Sequence, residues 1–437
     1  MGQLLSQPIT EKNITLVQHD HISHSIGEMQ GYRLNMEDAY CDLNDTISIS
    51  FRNPCSNTGN SNSNTSRLDQ SGIGSGSDSS TTGQDGDMKL ESTVSNGHST
   101  VTNSSQGQQR KIPFEQNVTI SVKINIYGVF DGHGGTSTSR YVSVHLPTIL
   151  RRKLSRAIAK LSDTDKLKLS EALKQSNSTN DNVILSLINF PKILKDTFFK
   201  VDSMFYRAPN NNSGSTAVVV LFFQGLLIVA NSGDSRCIIS SSKAATKQLS
   251  FDHKPKNLGE LMRIHSDGGY VSSDRVNSIL ALSRAFGDFN FKMHNNNNNS
   301  NFRIAQSQSS LLKKSHIELT PPEEYQVTVE PDIITHKINA TDEFLVIACD
   351  GIWDCYKPHD LVNVIRHELS IGKKLPEINE LILDNCISMA NTITGIGFDN
   401  MTLIIVALHE NIHGGLNGWY NHVKNKILDE KFGKLGH

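Results

Sequence analysis

Ile124-Asn125-Ile126-Tyr127-Gly128-Val129-Phe130-Asp131-Gly132-His133-Gly134 runs from an apolar strand pattern directly into an acid, a glycine and a histidine. A strand that ends this way delivers a carboxylate, a close-approaching backbone carbonyl and a titratable imidazole to one point. Taken alone, Asp131-Gly132 reads as an ordinary turn. Working outward changes that reading. Asp350 closes the apolar run 344–349, Asp399-Asn400 opens onto the apolar run 401–406, and Arg33-Leu34-Asn35-Met36-Glu37-Asp38 sets an arginine and two adjacent acids near the N-terminus. Acids at strand ends far apart in sequence make sense if they converge, and convergence costs free energy unless a cation neutralises them. Oxygen-only ligands suit magnesium or manganese rather than zinc or copper. These residues therefore predict a binuclear metal centre.

Arg33 with Glu37-Asp38-Ala39, Asp131-Gly132-His133-Gly134-Gly135, Gly214-Ser215-Thr216-Ala217, Asn231-Ser232-Gly233-Asp234-Ser235-Arg236, Asp252-His253-Lys254-Pro255, Leu282-Ser283-Arg284-Ala285-Phe286-Gly287-Asp288, Asp350-Gly351-Ile352-Trp353-Asp354 and Asp399-Asn400-Met401-Thr402 follow one another in this order. Together they closely resemble the metal-dependent serine/threonine protein phosphatases of type 2C, the PPM family. The resemblance implies hydrolysis of phosphoserine and phosphothreonine on proteins by direct attack of water activated by two magnesium or manganese ions, without a phosphoenzyme. It implies that Asp131 bridges both ions, that Asp350 and Asp399 ligate one, and that Gly132 offers its carbonyl to the other. Glu37 and Asp38 then hold metal-bound waters or ligate directly. Arg33 matches the residue that forks onto the substrate phosphate, a task that suits a planar guanidinium.

His133 is the candidate general acid, because histidine alone titrates unperturbed near neutrality; a turn histidine is the alternative. Asp234 and Asp354 resemble acids that, with Asp350, hold a third and weaker ion in some family members, although Gly233-Asp234-Ser235 reads equally well as a hairpin loop. Arg284 lies in a matched motif but is as well suited to pairing with a neighbouring carboxylate, and is left out of the catalytic set.

Competing chemistry is testable in the chain itself. None of the six cysteines has the arginine partner of a cysteine-dependent phosphatase loop, which argues against a phosphocysteine route. Few, scattered cysteines fit a reduced intracellular protein. No run approaches the roughly 18 apolar residues of a membrane span. Lys+Arg of 42 against Asp+Glu of 44 leaves a net charge of −2 with no basic cluster, so nucleic acid is not an expected partner and a phosphodiesterase or nuclease is disfavoured. A pseudophosphatase is disfavoured because the matched ligands and Arg33 are all present. Met1-Gly2-Gln3-Leu4-Leu5-Ser6 fits the pattern for myristoylation of Gly2, which would give weak, reversible membrane association. A monomer acting on phosphoserine and phosphothreonine proteins, cytoplasmic with a membrane or nuclear fraction, is the resulting expectation.

Strand and helix patterns alternate along the chain. Ser215 to Phe223 and Leu226 to Ala230 read as buried strands joined at Gln224-Gly225, and Ile193, Leu194, Thr197, Phe198, Val201 and Phe205 fall at helical spacing. A helix follows Asp131-Gly132-His133, which Pro147 should kink or end. The family resemblance supplies the architecture: an α+β fold, a four-layer α-β-β-α sandwich with two central antiparallel β-sheets flanked by helices. The expected divisions are a lead-in over 1–26, a catalytic domain over 27–408, and a C-terminal amphipathic helix over 409–437 marked by Leu416, Trp419, Tyr420, Val423 and Ile427. A Ser/Asn/Gly-rich insertion at 56–109 and an Asn-rich loop at 294–315 interrupt the domain. His19, His21 and His24 are expected in a solvated segment rather than at a metal.

Overall fold

The computed structural model describes residues 4–52, 117–174, 178–292, 320–410 and 412–433. The chain divides into one compact unit, Met1–Phe51 with Val118–His437, and a second, Arg52–Asn117. The 56–109 tract, the 294–315 loop and Gly2 lie outside the described residues.

Strands β1 (Leu4–Gln18), β2 (Ile22–Arg33), β3 (Ala39–Arg52), β4 (Asn117–Phe130), β5 (Ala217–Phe223), β6 (Leu226–Ser232), β7 (Arg236–Ser241), β8 (Ala245–Gln248), β9 (Asp332–Lys337), β10 (Asp342–Ala348) and β11 (Met401–Leu408) build two antiparallel sheets. One has the order β1-β2-β11-β10-β7-β8, the other β9-β6-β5-β4-β3. The helices are α1 (Ser137–Ala159), α2 (Asp163–Ala172), α3 (Ser178–Leu187), α4 (Phe190–Phe205), α5 (Leu258–Ser266), α6 (Asp350–Trp353), α7 (Pro358–Ser370), α8 (Leu375–Ser388) and α9 (Gly415–Phe432).

The side-chain period of two explains the layering. Every residue of β5 is buried. Val218, Val220 and Phe222 join the core between the sheets, while Ala217, Val219, Leu221 and Phe223 join the core under α1 and α4. Leu146, Leu150 and Leu154 of α1 meet Leu194, Phe198 and Val201 of α4 in that second core. Residues of α7, α8 and α9 pack on the other sheet, which completes the four layers of an α+β sandwich. Gln224 and Gly225 both have positive φ, 48° and 75°, as a two-residue primed hairpin turn requires. In α9, Leu416, Trp419, Tyr420, Val423 and Ile427 are buried, and Trp419 Nε1 donates to the Glu343 carbonyl at 3.0 Å.

Three expectations need correction. The described part of the 1–26 lead-in is regular rather than irregular, forming β1 and the start of β2; β1 stays exposed or half-buried and His21 is exposed, but His24 is buried with Nε2 3.2 Å from Asp42 Oδ2 and its ring edge-on to Tyr127. β1 is an edge strand whose residues are all exposed or half-buried, with Leu4, Ile9 and Leu16 among the exposed ones, so no regular alternation of apolar and polar residues marks it as a strand. Helix α1 does not end at Pro147. The proline forfeits one backbone hydrogen bond, but the buried stripe Val142, Leu146, Leu150 and Leu154 holds the helix on both sides of it. Finally, Gly233-Asp234-Ser235 is not a hairpin loop, because β6 and β7 belong to different sheets and the segment crosses between them.

Candidate metal centre

Antiparallel register brings the acid-bearing ends to one edge. β2 and β11 are neighbours with Met29 opposite Met401, and Ala348 of β10 stands opposite Leu403 of β11 and Arg236 of β7. Asp399, Asp350 and Asp234 follow from that register at the same edge. Asp131 leaves β4 there, tied by its N–H to Thr216 Oγ1 at 3.1 Å and by its carbonyl to the Thr216 N–H at 2.9 Å. Asp38 enters β3 beside it and accepts from Thr402 Oγ1 at 2.8 Å. Gly132 is a glycine for steric reasons: a Cβ there would sit 2.3 Å from the Glu37 carbonyl oxygen and 2.8 Å from Ser139 Oγ.

Like charges crowd this edge. Burial pushes the Asp38 carboxyl up to about 7 despite the Thr402 hydrogen bond. Burial, then the Asp350 and Asp38 carboxylates, holds Asp131 well above the usual carboxylate range. Asp350 is raised in the same direction by burial and then by Asp234, Asp399 and Asp354, and Asp354 by burial despite Lys254. Donor atoms of Asp38, Asp131 and Cys349 lie within 4.8 Å of one another. Cys349 is a poor member of such a set, because burial raises its thiol well above its ordinary value and its sulfur accepts the Thr402 N–H at 3.2 Å. The remaining donors are oxygens held close by the fold at an electrostatic cost that a hard divalent cation would remove, so the residues fit such an ion.

The cluster adjoins a cavity of about 320 Å³ lined by Arg33, Leu34, Glu37, Gly132, His133 and Asp399. Arg33 Nη2 is paired with Asp399 Oδ2. His133 Nε2 lies 2.7 Å from Asp288 Oδ2. Burial works to lower the His133 pKa, but the Asp288 charge and hydrogen bond override it and the net direction is upward. The two-residue strands Gly132–His133, Gly214–Ser215 and Phe286–Gly287 form a small sheet that sets this pair. A Cβ on Gly214 would fall 2.1 Å from Asp288 Oδ2 and 2.2 Å from His133 Nε2, so only glycine leaves room for it.

A family model described as Protein phosphatase 2C matches residues 90–394. "Protein phosphatase 2C homolog 4" of Saccharomyces cerevisiae is 36% identical over 466 aligned residues that cover 99% of each chain. The chain belongs to the protein phosphatase 2C family. "Protein phosphatase 2C homolog 3" of Schizosaccharomyces pombe is 30% identical over 427 residues, 98% of this chain and 74% of that one. A crystal structure of a phosphatase from Toxoplasma gondii superposes with a TM-score of 0.53 at 19% identity, over 92% of this chain and 96% of that one, and so shares the fold. The protein is thus a metal-dependent protein phosphatase 2C of serine/threonine type.

Within this phosphatase 2C site, Arg33, Glu37, Asp38, Asp131, Gly132, His133, Asp234, Asp350, Asp354 and Asp399 stand at the one sheet edge or line its cavity. The histidines His19, His21 and His24 join no metal-ligating cluster among the described residues. Arg284 pairs with Glu260 and Asp332 instead of facing the cavity. Sequence reasoning missed several partners: Asp288 on His133, Thr402 on Asp38, and Lys254 Nζ on Asp234 Oδ2. Each lies inside a motif quoted above, yet only the fold pairs them. Asp288 also has a φ of 51°, left-handed backbone that a non-glycine residue adopts at some cost.

Proposed function

We propose that this phosphatase hydrolyses phosphoserine and phosphothreonine by direct attack of water, with two magnesium or manganese ions held by Asp131, Asp350, Asp399, Asp38, Glu37 and the Gly132 carbonyl, and a weaker third ion by Asp234 and Asp354 with Asp350. The observation that carries this reading is the group of buried and half-buried carboxylates, Asp38, Asp131 and Asp350, whose pKa values rise through desolvation and mutual repulsion beside a cavity that also holds Arg33 and His133. When bound, such ions supply Lewis acidity that activates water and offsets phosphoryl charge.

The chain's own groups do the rest. Arg33 presents a planar, permanently charged fork at the cavity wall and orients the phosphate by two N–H donors. His133, held at Nε2 by Asp288, keeps Nδ1 for donation to the leaving alkoxide oxygen. Thr402 fixes the Asp38 carboxylate by a hydrogen bond. The sequence pattern at Gly2, which lies outside the described residues, supports N-myristoylation and weak, reversible membrane association; the proposal is completed by a cytoplasmic monomer, part of it membrane-associated or nuclear. Hydrolysis of a phosphothreonine peptide by purified protein, with manganese, with magnesium and with chelator, tests the reading. Turnover should appear with metal and vanish with chelator; equal turnover in chelator, or none with either metal, contradicts it.

A further inference from the structure

Asn400 stands between the two halves of the site and spends its whole carboxamide on the Arg33 segment. β11 begins at Met401, opposite Met29, so β2 beyond Met29 has no β11 residue left to pair with. Asn400 takes over. Its Nδ2 donates to the Gln30 carbonyl at 2.8 Å and to the Asn35 carbonyl at 3.0 Å, and its Oδ1 accepts the Glu37 N–H at 2.8 Å. Both amide protons and the amide oxygen are used, on a side chain that is only 5% exposed. The Asn400 N–H in turn donates to Asp399 Oδ1 at 2.8 Å, and a Cβ on Gly31 would meet the Asp399 carbonyl oxygen at 2.8 Å. Inside the segment, Gln30 Nε2 donates to the Arg33 and Leu34 carbonyls, both at 3.0 Å.

We propose that Asn400 is a positioning residue: its carboxamide sets the register of the 30–37 segment, the end of β2 and the turn after it, against Asp399, and so places the Arg33 guanidinium where it receives the substrate phosphate. The inference rests on the reading of Arg33 as the phosphate-binding group. Aspartate at this position would turn an oxygen toward two carbonyls, and leucine would leave the Gln30 and Asn35 carbonyls and the Glu37 N–H without partners.

Calorimetric titration of a phosphonate analogue of a phosphothreonine peptide into manganese-loaded protein separates placement from folding. Wild type, Arg33→Ala, Asn400→Ala and the double variant form a cycle. Asn400→Ala should weaken the Kd by on the order of tenfold at unchanged stoichiometry, and should raise KM more than it lowers kcat, since a misplaced binding group is costly even when present. On the Arg33→Ala background it should add less than about threefold. A Kd unchanged while stoichiometry falls marks a folding lesion and overturns the proposal, as do losses that multiply independently. Wild-type affinity in Arg33→Ala would overturn the Arg33 reading itself and is distinguishable from both. If Asn400→Ala does not fold, Gln30→Ala keeps the Asn400 bonds and removes only the inner tie. It should weaken the Kd by roughly threefold, and no change there counts against the proposal.

Discussion

Glu260 is a buried acid and Asp131 a half-buried one, and their surroundings are opposite. Glu260 accepts from Arg284 Nη2 at 2.7 Å, Arg263 Nη1 at 2.8 Å and Ser283 Oγ at 2.6 Å. Burial works to raise its pKa, but the arginines and the hydroxyl override it and bring the carboxyl down to about 2. Asp131 faces Asp350, Asp38, Asp399 and Asp234, and burial and repulsion both push it up. One node is electrostatically complete within the chain. The other is complete only when something cationic joins it, and that difference separates a structural charge cluster from a site.

The largest effect should come from Asp131→Asn, which removes a negative ligand at constant size. Turnover with manganese should fall on the order of 10³-fold or more, as expected when several kcal/mol of metal-derived stabilisation is lost. Thermal melting in chelator should show a Tm no lower than wild type, because a repelling charge has gone. A large Tm loss would place Asp131 among the structural acids and collapse the contrast.

Glu260→Gln probes the other node. It leaves Arg263 without its ion-pair partner and Arg284 with Asp332 alone, and denaturant unfolding should report a loss of about 3 kcal/mol, with turnover per folded molecule within tenfold of wild type.

The two nodes should also respond to pH with opposite signs. Glu260 has a folded pKa of about 2 against an ordinary 4.5. It binds fewer protons when folded, so its contribution is present above about pH 4.5 and is lost as pH falls toward 2, amounting to about 3 kcal/mol. Asp38 rises to about 7 from an ordinary 3.8. It binds more protons when folded, so its contribution is present below about pH 3.8 and is lost as pH climbs to 7. Metal-free protein should therefore lose stability on both sides of a mildly acidic optimum, and Glu260→Gln should flatten only the acid limb of a Tm profile.

A smaller effect sharpens the catalytic side. Asp288→Asn should lower kcat by about tenfold with KM little changed, because His133 loses its charged partner but keeps a hydrogen-bond acceptor. A KM effect without a kcat effect would assign the pair to substrate binding.

How much of this was legible in the sequence follows from what each signal reports. β4, β5, β6, β10 and β11 are apolar or alternating runs bounded by turn chemistry, so local pattern names them. β1 and the start of β2 were not legible, because an edge strand needs no apolar outer face and His24 takes an inward position where an apolar residue is the usual sign. The Gly233-Asp234-Ser235 reversal shows where the chain turns but not which sheet receives the next strand. Asp131, Asp350 and Asp399 were legible because each sits at the end of a strand. Their supports were not. His133 and Asp288 are 155 positions apart, and Asn400 reaches Gln30, Asn35 and Glu37 only because β2 lies beside β11. Side-chain pairs of that separation are products of sheet order, which local pattern does not contain.

If the crowded acids form a divalent-cation site and the arginine-bracketed acid does not, metal affinity should depend on Asp131 and not on Glu260. Calorimetric titration of manganese into metal-free wild type, Asp131→Asn and Glu260→Gln, in two buffers of different ionisation enthalpy so that proton release is counted, tests it most directly. Saturable binding with proton release is expected in wild type and Glu260→Gln, both sharply weakened in Asp131→Asn. Binding of equal strength in Asp131→Asn, or none in wild type, would contradict it.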